Sequence, residues 1–181
     1  MLALKYAAAQ GASGVVRFAV LTHDLGKAQT PKADWPSHHG HEEFGVPLIE
    51  DLCDRFKVPN SHRELAILAA RQHTLVHRAL ELKPVTVLTL LEGCDAFRRP
   101  ERFTELLLAC EADARGRTGR ESAPYPQAAY LGEALAAAAG VTLSESERRG
   151  LEGAEIGAEI RRRRLAAIAA VKARATPTAA R

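Results

Sequence analysis

Helix breakers at wide intervals restrict the fold of this chain more than any other feature. Gly11, Gly26, Pro84, Pro100 and Gly140 divide it into stretches rich in Ala and Leu, and no stretch sustains the apolar/polar alternation of a half-buried strand. Helices are predicted over 2–10, 15–25 and 40–57, and then through "LAILAARQHTLVH". Pro84 opens the next, through "VTVLTLLEGCDAF", and Pro100 the one after, to about Ala114. An Ala-rich helix over 127–139, a capped turn in "TLSESERRG" and a last helix from 154 to about 173 complete the set. Phe44, Leu48, Ile49, Leu52 and Phe56 carry the helical period in one segment; Ile156, Ile160, Leu165, Ile168 and Val171 carry it in the last. Gly26 suits a helix C′ position, and Asn60 or Ser61 followed by Glu64 is a capping signal. "AQTPKADWPSH" and "RGRTGRESAPYPQ" are loops, and the final "ATPTAAR" is expected to fray. The fold class is all-α.

Composition excludes several functions. No apolar run reaches the length of about 18 residues that a membrane span needs, and the N-terminus lacks a signal-peptide pattern. Cys53, Cys94 and Cys110 form no C-x-x-C pair and suit reduced core thiols, so a cytoplasmic protein is expected. The Leu- and Ala-rich helices would also suit a homo-oligomer. Charge is uneven: residues 148–181 hold nine Lys/Arg against three Glu, or +6, which leaves −3 on residues 1–147 of a chain whose net charge is +3. A basic end on an acidic body favours a polyanionic partner at that end.

The chemistry starts in "FAVLTHDLGK", residues 18–27, where an apolar run ends in His23-Asp24. Burying that pair unpartnered would cost several kcal/mol, and a divalent cation removes the penalty. Adjacent helical residues lie about 100° apart, so the two converge on one ion only near a helix terminus. Asp95 is a second carboxylate at the end of an apolar helix, and "HHGHEE" sets His38, His39 and His41 near a helix start, where a phosphate is also favoured. His62 and His77 read as ordinary surface or core histidines.

"HDLGK", "WPSHHGHEEFGVPL", "RQH", "DAFRRPERF" and "EADARGRTGRES" together resemble, in order and spacing, the HD-type phosphohydrolase domain of bacterial CCA-adding tRNA nucleotidyltransferases. The likeness runs to about Lys172 and implies a helical HD bundle over 1–117 with a helical, basic region over 118–181. It also implies a divalent metal, Ni²⁺ or Mn²⁺ before Mg²⁺, held by His23, Asp24 and Asp95. The family's first histidine would fall a couple of residues before Met1, so the chain is expected to begin just past it. Lys27 is placed to neutralise a phosphoryl charge, or is a solvated helix-end cation; His41 and His73 line the site as catalytic groups or extra ligands, or pack in the core. Thr74 stands where some relatives carry a second aspartate. Arg115, Arg117 and Arg120 either clamp RNA phosphates or cap their loop against Glu111 and Glu121. The "RRRR" run, 161–164, wraps a helix, so two of its members, Arg162 and Arg163, are assigned to tRNA.

The activity implied is hydrolysis of 2′,3′-cyclic and 2′-phosphates on a tRNA 3′ end or on nucleotides. The alternative is a non-catalytic tRNA-binding scaffold with a degraded metal site. No Gly-Gly-Ser and no D-x-D motif of a nucleotidyltransferase head occurs.

Overall fold

A computed structural model describes residues 2–175, and within them the chain is helical with no strand. The helices are α1 (Leu2–Ala9), α2 (Gly14–Thr22), α3 (His41–Phe56), α4 (Asn60–His77), α5 (Pro84–Gly93), α6 (Pro100–Arg115), α7 (Pro126–Ala139), α8 (Glu145–Arg148) and α9 (Gly153–Ala175). Residues 176–181 of the stretch expected to fray lie outside the described residues. No described helix is long and apolar enough to cross a membrane.

The core is built around α4, which packs on α2, α3 and α6, while α9 packs on α7 and α5. One buried cluster runs from Ala7 through Leu65, Leu91, Phe103 and Leu131 to Val171, so a single core crosses the expected boundary at residue 117. A second, smaller cluster of Ile49, Cys53, Ala66 and Ala70 ties α3 to α4. All three cysteines are buried and unpaired. Burial pushes the Cys94 thiol up to about 12, which makes it inert at neutral pH.

Two local expectations are corrected. The capping signal at Asn60 or Ser61 is not used: α4 starts after Pro59 with no side-chain cap. Glu64 instead accepts hydrogen bonds from Arg99 at 2.5 Å and Arg102 at 3.1 Å. The α2 helix stops at Thr22 and passes into a 3₁₀ turn over Leu25–Gln29, so Gly26 is no C′ residue. It is where α3 crosses: a Cβ on Gly26 would lie 1.9 Å from the His41 carbonyl oxygen.

The arginine run makes contacts within the chain. Arg161 pairs with Glu92, and Arg162 holds Glu159 through two bonds of 2.7 and 2.6 Å. Arg163 bridges Glu147 and Glu159 at 2.6 and 2.8 Å, and Arg164 lies 3.9 Å over the Phe97 ring. These residues fasten α9 to α8, to α5 and to the turn after it. Arg164→Ala is expected to cost about 1 kcal/mol, the worth of a partly buried cation–π contact, read from the urea midpoint.

Candidate metal centre

Thr22 ends α2, its hydroxyl donating back to the Phe18 carbonyl at 2.9 Å. His23 is the C-cap, and Asp24 sits between α2 and the 3₁₀ turn, outside helical geometry. The termination lets two adjacent side chains converge, as the sequence required. Gly40, at φ +76°, starts α3 so that His41 opens it over Gly26. One turn apart on α4, His73 and His77 face the same way.

His23, His41 and His73 are buried, and the backbone fixes each ring. His23 Nδ1–H donates to the Val20 carbonyl at 2.9 Å, and His41 Nδ1–H to that of His38 at 2.9 Å. His73 Nδ1–H donates to the carbonyls of Ala69 and Ala70 at 2.9 and 3.0 Å. Each Nε2 is thereby left to hold a proton or a metal ion. All three point at Asp24: its oxygens lie 3.4 Å from His23 Nε2, 3.5 Å from His41 Nε2 and 3.7 Å from His73 Nε2. His41 Nε2 and His73 Nε2 are 3.1 Å apart, a hydrogen bond only if one ring takes a second proton. Both His23 Nε2 and Asp24 Oδ1 are buried with no hydrogen-bond partner. Orphaned lone pairs facing one another in a dry site are what a divalent cation satisfies. One ligand atom each from His23, Asp24 and His73 lies within 4.8 Å of the others.

The second carboxylate is Asp113, on α6. Its Oδ1 lies 3.6 Å from His23 Nε2, and its Oδ2 accepts from His77 Nε2–H at 2.9 Å. Burial alone would raise Asp113, but the nearby His23 imidazole and the hydrogen bond from His77 outweigh it and hold the carboxyl far below the usual carboxylate range. Asp24 follows the same pattern, burial being outweighed by His23 and by Lys27, whose Nζ donates to Oδ2 at 2.7 Å. In His23 the balance runs the other way: burial lowers its pKa, but Asp113 and Asp24 raise it above the ordinary value. His73 is lowered, by burial and then by His23, and so is neutral with a free lone pair. Glu42 borders the cluster, 3.4 Å from His41 Nδ1. Burial raises its carboxyl, but its own N–H and the Thr74 hydroxyl bring it below its usual value.

The structure therefore brings together His23, Asp24, Lys27, His41 and His73 from the sequence assignment. It does not bring in Asp95. That residue lies beyond the end of α5 at φ +53°, which turns its carboxylate to Arg98, 3.7 Å away. Sequence reasoning missed Asp113 and His77. The signal was available in the i, i+4 spacing of His73 and His77 and in an aspartate ending α6, but periodicity cannot choose between two aspartates that both end apolar helices. Arg115, Arg117 and Arg120 line a separate cavity that also includes His77. His38, in the left-handed region at φ +51°, bonds Thr30 Oγ1 through Nδ1 at 2.6 Å and supports the loop before α3.

The HD domain profile matches residues 1–117. The chain belongs to the HD domain family. HD domains are metal-dependent phosphohydrolases, helical like this fold, and the cluster occupies the span that the profile covers. The chain is 53% identical over 173 residues to a multifunctional CCA protein of Thioalkalivibrio sulfidiphilus, covering 96% of this chain and 42% of that protein. A multifunctional CCA protein of Nitrosococcus oceani is 53% identical over 165 residues, 91% of this chain and 41% of its own length. That of Hahella chejuensis is 48% identical over 179 residues, 99% and 42%. This HD chain thus spans about two-fifths of the length of those relatives. No solved structure matches it.

Proposed function

We propose that the chain hydrolyses 2′,3′-cyclic and 2′-phosphates, with a tRNA 3′ end or a nucleotide as substrate. The observation that carries this reading is the convergence of three backbone-locked imidazoles on the Asp24 carboxylate, two of them on its orphaned Oδ1. His23, Asp24, His41, His73 and Asp113 are the residues that would hold the metal. Such an ion supplies an acidified water and a polarised phosphoryl group. A set rich in imidazole suits Ni²⁺ or Mn²⁺ better than Mg²⁺, which prefers oxygen and water.

The protein's own groups do the positioning. Backbone carbonyls fix the three rings, and Lys27 fixes the Asp24 carboxylate by holding Oδ2 and leaving Oδ1 toward His41 and His73. Lys27 is half exposed, so its remaining N–H groups can meet a phosphoryl oxygen as charge builds there. The nitrogen-rich cluster supports an enzyme over a scaffold with a degraded metal site, because His41 and His73 add two imidazoles to the His23-Asp24 pair.

The test is hydrolysis of 2′,3′-cyclic AMP by EDTA-treated protein resupplied with Ni²⁺ or Mn²⁺, with His23→Ala as control. Turnover that needs both the metal and His23 is expected. Wild-type protein that stays inactive with either ion would sink the proposal.

A further inference from the structure

The HD profile ends at residue 117, yet a side chain from beyond it is tied into the cluster. Pro124-Tyr125-Pro126 leads into α7, with Pro126 in the first turn of the helix. A following proline disfavours helical geometry, and Tyr125 lies outside it at φ −127° and ψ 75°. Its side chain is presented to the end of α4. The hydroxyl lies 2.9 Å from His77 Nδ1, and the two rings meet near-perpendicular with centroids 5.9 Å apart. Gln127 Nε2 donates to the His77 carbonyl at 3.0 Å, one of the carbonyls that the end of α4 leaves open. The start of α7 therefore holds His77 both by its ring and by its backbone.

The far side of the same ring sets the direction of these bonds. His77 Nε2 is 2.9 Å from Asp113 Oδ2, and an ionised carboxylate only accepts, so Nε2 carries the proton. The neutral imidazole then has its lone pair on Nδ1, where the Tyr125 O–H donates. Burial pushes the Tyr125 hydroxyl above its ordinary range, so it keeps that proton. The chain of bonds runs from Tyr125 through His77 to Asp113, whose Oδ1 lies 3.6 Å from His23 Nε2. Arg117 also reaches Asp113 Oδ2, but at 3.4 Å and from an exposed side chain, a weaker hold.

We infer that Tyr125 is a positioning residue of the metal centre: acting through His77, it fixes the Asp113 carboxylate with Oδ1 toward the ion. The inference rests on the metal centre of the proposed function and not on its substrate.

Calorimetric titration of EDTA-treated protein with Ni²⁺ tests it, run on wild type, Tyr125→Phe, His77→Ala and the double variant. His77→Ala should bind about 10- to 100-fold more weakly, as expected of a group that orients a ligand. Tyr125→Phe should lose about fivefold, the worth of one neutral hydrogen bond. In the His77→Ala background the same substitution should change affinity by less than about twofold, because the ring through which Tyr125 acts is gone. Tyr130, further along α7, is the control: its buried hydroxyl has no hydrogen-bond partner among the described residues, so Tyr130→Phe should bind Ni²⁺ like wild type. Tyr125→Phe binding as tightly as wild type, whatever its melting temperature, would overturn the inference and leave the metal centre standing. So would an equal loss in both backgrounds. No saturable binding in the wild type would remove the metal centre and the inference together.

Discussion

Asp24→Asn is expected to lower the affinity for Ni²⁺ or Mn²⁺ by at least about 100-fold and to erase the thermal stabilisation that the ion confers. Even groups that only orient a ligand are worth about 10- to 100-fold in affinity, and Asp24 faces all three imidazoles directly. At a free-metal concentration about 100 times its Kd, the wild-type chain gains about 2.7 kcal/mol. For a chain of this size that is a rise in Tm of about 5–10 °C. The asparagine keeps the shape but loses the charge that balances the cation, and it can turn an N–H toward the imidazole lone pairs. The aspartates that end α5 and α6 provide a comparison. Asp113→Asn should also weaken metal binding, because Oδ1 faces His23. Asp95→Asn should leave the affinity within about twofold, because its carboxylate is engaged with Arg98. Differential scanning fluorimetry with and without metal reads all three, and an Asp95 effect equal to that of Asp24 would refute the assignment.

The second large effect is expected at Gly26. An added Cβ would lie 1.9 Å from the His41 carbonyl oxygen and 2.5 Å from the Gly45 nitrogen. Both are backbone atoms, so no side chain can swing aside, and the start of α3 must move. Gly26→Ala is therefore expected to cost about 3 kcal/mol or more, the upper range for overpacking. His41 Nε2 would move from its positions 3.5 Å from Asp24 and 3.1 Å from His73, so metal affinity should fall with stability. Gly132 is the contrast. Inside α7, with nothing within 4 Å of an added Cβ, Gly132→Ala should stabilise by about 0.5–1 kcal/mol. Urea midpoints of the two variants moving in the same direction would contradict this account of Gly26.

The helices were legible because their determinants are local: Pro84 and Pro100 start α5 and α6 as their fixed φ demands. His23-Asp24 was legible for a similar reason, since an ionisable pair at the end of an apolar helix needs a partner wherever the rest of the chain goes. What escaped was tertiary. Gly26 looked like a helix stop because the same residue type serves a C′ turn and a backbone crossing, and only the position of α3 distinguishes the two. Asp113 and Asp95 look alike along the chain. They differ in the direction of a carboxylate, which the backbone turn after α5 and the packing of α6 on α4 decide. The partners of Arg161 and Arg163, Glu92 and Glu147, lie on other helices and were equally hidden, whereas Glu159, which holds Arg162 and Arg163, lies one turn away on α9 itself.

The most direct test of the metal centre is calorimetric titration of EDTA-treated protein with Ni²⁺, run beside His73→Ala. The cluster geometry predicts one ion per chain in the wild type and binding at least about 100-fold weaker in the variant. No saturable binding in the wild type, or equal binding in His73→Ala, would show that these imidazoles do not form the site.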